Sequence, residues 1–173
     1  MNTRDYKIAL IGTGILGKSI CKKLLADKYR LGVWNRTNKK CKELIDEGAI
    51  KIDSIEKIPD NFKVIITVLK DGKCTKKTIN LIPNIEDKLI IQMGTVGALE
   101  SKNIEKLIKN KGGYYLEAPV LGSVHEALNG KLIIMIGGEQ KIFNKYKFIF
   151  ESLSENFLYF GSVSDAASSK LSL

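Results

Sequence analysis

Three glycines in Gly12-Thr-Gly-Ile-Leu-Gly17 stand between an apolar, β-branched run, Lys7-Ile-Ala-Leu-Ile11, and a stretch in which Leu16, Ile20 and Leu24 recur every four residues. The order is strand, tight turn, helix. In such a turn the first glycine permits the sharp reversal, the second lets backbone approach a ligand, and the third lets the helix pack closely on the strand. The helix that follows opens with unpaired N–H groups and the positive end of its dipole, so an anion is favoured there. A dinucleotide bound through its pyrophosphate suits this geometry, and the expected contacts are Gly12, Thr13, Gly14, Ile15, Leu16 and Gly17.

The rest of the chain keeps the same rhythm. Leu31-Gly-Val-Trp34 reads as a second strand, and Cys41, Leu44 and Ile45 mark a helix face that Gly48 closes. Val64 to Leu69 and Leu89 to Met93 read as buried strands around a helix near 73–81 that ends before Pro83. A helix over about 99–110 buries Ile104, Leu107 and Ile108, and a strand from Tyr114 to Leu116 follows Gly112-Gly113. Residues 118–123 read as a loop, 131–136 as a strand, Ile142, Tyr146, Ile149 and Leu153 as a helix face, and 157–160 as a last strand. Residues 164–173 read as the first turns of a further helix. Strands alternating with helices predict a Rossmann-type, doubly wound α/β fold: a mostly parallel sheet covered on both faces.

At 173 residues and 44% hydrophobic composition the chain can bury one core, so a single domain is expected. No apolar run approaches the roughly 20 residues that cross a bilayer, and Met1 to Asp5 lack a signal-peptide pattern, so the expected location is cytoplasmic without membrane partners. Cys21, Cys41 and Cys74 form no CxxC pair, which argues against a thiolate metal site or a disulfide framework; no metal is expected. A net charge of +9 raises the question of nucleic acid. The lysines are scattered, often beside acids as in Lys42-Glu43 and Glu105-Lys106, and aromatics are not interleaved with them, so no nucleic-acid partner is expected.

About 20 positions after the glycines, a dinucleotide fold that takes NAD carries a carboxylate for the ribose hydroxyls. Here Asn35-Arg36-Thr37 stands in its place. A carboxylate repels a 2′-phosphate, whereas a guanidinium holds it with forked, charge-assisted bonds, and Thr37 can donate another. NADP is therefore the expected cofactor, with NAD possible, and Asn35, Arg36 and Thr37 join the expected cofactor contacts.

The opening stretch from Ile11 to Thr37 resembles the start of the 3-hydroxyisobutyrate dehydrogenase and 6-phosphogluconate dehydrogenase superfamily, in the branch of glyoxylate and succinic semialdehyde reductases. Later segments agree in order. Thr67-Val-Leu69 resembles the strand that contacts the adenosine side of the cofactor, and Gln92-Met-Gly-Thr95 the segment whose threonine lies near the nicotinamide ribose; the resemblance thus implies Val68, Leu69 and Thr95 as further cofactor contacts. Glu117-Ala-Pro-Val-Leu-Gly-Ser123 resembles the substrate-binding loop, and the segment from Gly161 to Lys170 the one that carries the catalytic lysine.

That resemblance implies hydride transfer between nicotinamide and a small β-hydroxyacid or its semialdehyde. Lys170 would act as general acid and base, and Gly122 and Ser123 would bind the substrate carboxylate. Three positions depart from the family: Leu121 replaces a frequent serine, Lys70 a small residue or proline, and Ser164 a usual glycine. By resemblance, residues 1–161 form the nucleotide domain, and 162–173 begin the helix that leads to an all-helical domain absent from these 173 residues. That domain would complete the pocket and the oligomer interface, so weak turnover is expected of this form. A dinucleotide module without catalysis, serving as sensor or assembly surface, is the alternative. His125 is given no function, and Glu117 and Asp165 have ordinary structural explanations.

Overall fold

The computed structural model describes residues 5–172. Its centre is a run of parallel strands: β1 (Lys7–Ile11), β2 (Arg30–Trp34), β3 (Ile50–Lys51), β4 (Phe62–Thr67), β5 (Leu89–Gln92) and β6 (Tyr114–Glu117), in the spatial order β3-β2-β1-β4-β5-β6. The order reverses at β1, where the chain crosses from one half of the sheet to the other. In open α/β sheets the crevice outside the carboxyl ends at such a reversal is where ligands bind.

The sheet is completed by β7 (Val120–Leu121), β8 (Ile133–Gly138) and β9 (Asn156–Gly161). Strand β8 runs antiparallel to β6 and β7, and β9 runs parallel to β8. Leu116 faces Gly138 and Leu121 faces Ile133, so β6 and β7 are one extended path in a single register along β8. Pro119 interrupts it because proline has no N–H to give the ladder, yet its carbonyl still accepts from Met135 N at 3.0 Å. The segment expected as a loop is thus partly strand.

Alternate residues of each central strand serve opposite faces, and both faces are apolar, as a doubly covered sheet requires. Ile8, Leu10, Val64, Ile66, Leu89 and Ile91 join one core with α1 (Ile15–Ala26), α5 (Val124–Leu128) and α6 (Gln140–Leu153). Ala9, Ile11, Ile65, Ile90 and Tyr115 join the other with α3 (Gly72–Leu81) and α4 (Ala98–Asn110), beside which α7 (Asp165–Leu171) packs. A short helix, α2 (Lys42–Asp46), follows a 3₁₀ turn over Asn38–Cys41.

The expected elements are present with shifted ends. β4 stops at Thr67 rather than Leu69, and β8 begins at Ile133 rather than Lys131. Leu107 is only partly buried. The two-residue β3 and the five-residue α5 were not expected; neither is long enough to show a period. The last helix starts at Asp165, with Ser164 as its N-cap residue, and the expected run to Leu173 ends outside the described residues, as do Met1 to Arg4.

Candidate functional site

Gly12 sits at φ +99°, and a Cβ there would lie 2.3 Å from the carbonyl oxygen of Val68. A Cβ on Gly17 would lie 1.9 Å from the carbonyl oxygen of Gly12. Both positions exclude a side chain for reasons internal to the fold. Gly14 differs: nothing lies within 4 Å of where its Cβ would be. The open side of the turn therefore faces outward, directly before α1. That helix has no side-chain cap and no acid in its first turn, and Ile15 is 79% exposed there. Free donors, a positive helix end and open space over Gly14 fit a diphosphate.

Beside this turn, Asn35 Oδ1 accepts the Thr13 N–H at 3.1 Å and Asn35 Nδ2 donates to the Thr37 carbonyl at 3.2 Å. Thr13 is buried, its hydroxyl 3.7 Å from Cys41 Sγ. Asn35 and Thr13 thus hold the turn's shape. Arg36 is exposed and makes no ion pair or hydrogen bond among the described residues; exposed Thr37, Lys39 and Lys40 follow it, with no carboxylate in the loop. The guanidinium at the end of β2 is available to an anion.

Val68 and Leu69 leave β4 half-buried, with Val68 N bonded to Ile11 O at 2.9 Å, so they wall the glycine turn on its other side. Lys70 is exposed, its ammonium 3.9 Å from Asp71. Thr95 is exposed in the loop after β5. Thr67 and Gln92, paired in register at the ends of β4 and β5, are fully buried, and their hydroxyl and amide have no hydrogen-bond partner among the described residues.

At the far end of the same carboxyl edge, Lys170 in the last turn of α7 is half-buried and its ammonium donates to the Val120 carbonyl at 2.8 Å. The lysine and the 120–123 segment, 50 positions apart in sequence, are brought together. Gly122 and Ser123 lead into α5. Ser123 N donates to Glu126 Oε2 at 2.7 Å and its hydroxyl bonds the same carboxylate, which these bonds hold below the usual carboxylate range. The two Ser123 donors expected to receive a substrate carboxylate are engaged by Glu126. The Ser123-x-x-Glu126 spacing is a local capping signal that the sequence reading passed over. His125 is exposed at the start of α5, its N–H bonded to Ser123 Oγ.

Glu117 is the site's unexpected member. Its carboxylate is fully buried; Oε1 accepts from the N–H groups of Ser164, Ala166 and Ala167 at 2.8, 3.0 and 3.2 Å. Ser101 donates to Oε2 at 2.5 Å, and the Tyr115 hydroxyl lies 2.9 Å from Ser101 Oγ. Burial pushes the Glu117 carboxyl above its usual range, against the lowering effect of these bonds, and burial also pushes the Tyr115 phenol up. Nothing local announces this contact, whose ends are 47 to 50 residues apart. Among the described residues no group of three or more His, Cys, Asp or Glu is gathered as for a metal, and no helix is long and apolar enough to cross a membrane.

Comparison with known proteins agrees with this geometry. Residues 7–161 match the family model described as the NAD binding domain of 6-phosphogluconate dehydrogenase. The chain is 34% identical over 170 residues to glyoxylate/succinic semialdehyde reductase 1 of Arabidopsis thaliana, covering 95% of this chain and 59% of the relative. It is 30% identical over 174 residues to the cytokine-like nuclear factor N-PAC of Anopheles gambiae, covering 98% of this chain and 31% of the relative. A solved 3-hydroxyisobutyrate dehydrogenase from Mycobacterium tuberculosis, with L-serine, superposes with a TM-score of 0.89 at 19% identity, covering 96% of this chain and 58% of that one, and shows the shared fold. With its glycine turn, its strand order and a family match over nearly its whole length, the chain belongs to the family of NAD binding domains typified by 6-phosphogluconate dehydrogenase.

Proposed function

We propose that the chain is the nucleotide-binding part of an NADP(H)-dependent oxidoreductase acting on a small β-hydroxyacid or the matching semialdehyde, of the glyoxylate, succinic semialdehyde or 3-hydroxyisobutyrate type. The observation that carries this reading is the ammonium of Lys170 held against the substrate-loop carbonyl of Val120, on the same carboxyl edge of the sheet as the open glycine turn. The diphosphate lies over Gly12 to Gly17 at the uncapped start of α1, and Arg36 with Thr37 takes the 2′-phosphate. Asn35 holds the turn rather than the ligand. Val68, Leu69 and Thr95 line the path between the adenosine and nicotinamide ends.

Bound nicotinamide supplies the hydride in one direction and takes it in the other. Lys170 gives a proton to the developing alkoxide oxygen in reduction and recovers it in oxidation, its positive charge stabilising that oxygen. Gly122 and Ser123 orient the substrate carboxylate once Glu126 yields the Ser123 donors.

The chain spans 59% of the length of its Arabidopsis relative. In this reading residues 1–161 hold the nucleotide, and 162–173 enter a helix toward the region that closes the substrate pocket and forms the oligomer. The 173 residues alone then bind cofactor but turn over poorly, because an open pocket stays wet. Fluorescence titration with NADPH and NADH tests the cofactor reading: tighter binding of NADPH is expected, and a preference for NADH would refute it.

The N-PAC relatives favour a second reading, a dinucleotide module without chemistry, since one of them matches 98% of this chain. Replacing Lys170 by alanine separates the two in a form that turns over. An enzyme loses turnover and keeps nucleotide affinity; a module has no turnover to lose.

A further inference from the structure

Helix α7 has only seven residues, Asp-Ala-Ala-Ser-Ser-Lys-Leu, and buries just Ala166 and Ala167. A two-turn helix with so little apolar surface does not hold itself in water. Something else must fix it. Its first turn is bound by one carboxylate oxygen of Glu117, which takes the N–H groups of Ala166 and Ala167, and the N-cap residue Ser164, at φ +90°, gives the same atom a third. Its last turn is bound through Lys170 to Val120. Both anchors lie on one strand path, three residues apart, at Glu117 in β6 and Val120 in β7.

The surroundings are shaped for this contact. A Cβ on Gly137, which pairs with Glu117 across β6 and β8, would lie 2.5 Å from Glu117 Oε1 and 2.8 Å from the Ser162 carbonyl oxygen, so a side chain there would displace the carboxylate. Ser101 spends its proton on Oε2, which leaves Tyr115 to donate to Ser101. The carboxylate is oriented from both sides. Ala166 and Lys170 are four positions apart, one turn along the same face, so whatever sets the first turn sets the height of the ammonium.

We propose that Glu117 is the positioning residue for Lys170: its carboxylate fixes α7 on the sheet and thereby holds the lysine ammonium at the substrate loop. The role matters for turnover only under the reading of Lys170 given above. The contact itself is independent of that reading and can be tested separately.

The test uses the 173-residue chain with the substitutions Glu117→Ala, Glu117→Gln and Ser101→Ala. Two readouts are taken by mass spectrometry: amide exchange across residues 164–171, and competitive acetylation of Lys170 relative to exposed Lys77. NADPH affinity serves as the control, because the glycine turn lies outside the contact. Glu117→Ala is expected to speed exchange in α7 at least about tenfold, the effect of losing one bond to a charged group. Lys170 should then label as fast as Lys77, with NADPH affinity unchanged.

Glu117→Gln keeps a carbonyl acceptor and should restore part of the protection, a rescue that simple loss of packing does not produce. If Glu117→Ala fails to fold, Ser101→Ala decides: it frees Oε2 and should raise Lys170 labelling by a smaller factor. Unchanged α7 exchange and unchanged Lys170 labelling in a folded variant overturn the proposal. A Lys170→Ala form of an active, longer chain that keeps full turnover would overturn the catalytic reading alone, leaving the labelling result to judge Glu117.

Discussion

The side-chain oxygen of Asn35, at the end of β2, accepts the N–H of Thr13 in the glycine turn after β1 at 3.1 Å. Two loops that the proposed function sets against different parts of a dinucleotide are thereby one unit. Asn35→Ala is expected to weaken NADPH and NADH alike by about 1 kcal/mol, roughly fivefold, since it loosens the turn without removing a group specific to either. Titration of both nucleotides against the variant checks this; a loss confined to one would assign Asn35 a direct contact.

Arg36 has the opposite character, exposed and free of partners among the described residues. Arg36→Ala should cost NADPH about 1.5 to 3 kcal/mol of affinity, a factor of ten to a hundred or more, and leave NADH within about twofold. Calorimetry with both nucleotides measures the difference directly.

Gly12 and Gly14 should fail in different ways. Gly12→Ala places a methyl 2.3 Å from a backbone oxygen at φ +99°, so it is expected to unfold the turn and lower Tm by several degrees. Gly14→Ala meets nothing within 4 Å, at an ordinary φ of −66°, and should fold with stability within about 0.5 kcal/mol of the parent while losing nucleotide affinity. Thermal melts and titrations run side by side distinguish the two. Loss of stability without loss of binding in Gly14→Ala would contradict the placement of the diphosphate.

Ser164 adopts a left-handed backbone that costs a residue with a side chain about 1 kcal/mol. Ser164→Gly should raise stability by a similar amount, visible as a higher denaturation midpoint with an unchanged slope. No gain would mean that the glycine's extra freedom in the unfolded chain offsets the relief.

Lys88 is only 1% exposed, and its ammonium donates to both the backbone carbonyl and the carboxylate of Asp60 at 2.7 Å. Lys88→Met should lower the denaturation midpoint, because both bonds that tie the buried end of Lys88 to Asp60 are lost. The Lys88 ammonium, through its hydrogen bond first and its charge second, holds the Asp60 carboxyl below its usual range. An acid with a depressed folded-state value stabilises the fold above its unfolded value and loses that contribution as pH falls through the folded one. Urea denaturation below pH 4 should therefore show a steeper loss for the parent than for Lys88→Met. Parallel curves would remove Asp60 from acid unfolding.

Much of the fold was legible because its signals are local. The β-branched runs of β1, β4 and β5 and the four-residue recurrence in α1 each lie within a dozen positions, the range over which burial imprints a period on sequence. Segments of two to five residues, such as β3, β7 and α5, carry no period. The reversed direction of β8 against β6 was equally hidden, because an apolar strand reads the same either way along a sheet. At the site, the glycines Gly12 and Gly17 are legible from type and spacing, whereas the hydrogen bonds that join Asn35 to Thr13 and Ser123 to Glu126 are not part of the sequence expectations. A polar side chain in a loop looks the same in sequence whether a ligand or the protein itself takes its bonds.

The sequence by itself determined the βα turn, since Gly12 and Gly17 answer to steric limits set within a few residues of themselves and leave a readable spacing. Only the tertiary structure decided where Lys170 sits and what holds it. Val120 and Glu117 reach α7 from 47 to 50 residues away, and Gly137 makes room for the carboxylate from a third strand. Contacts of that separation arise when the sheet closes its register, and no local pattern of residue types encodes them.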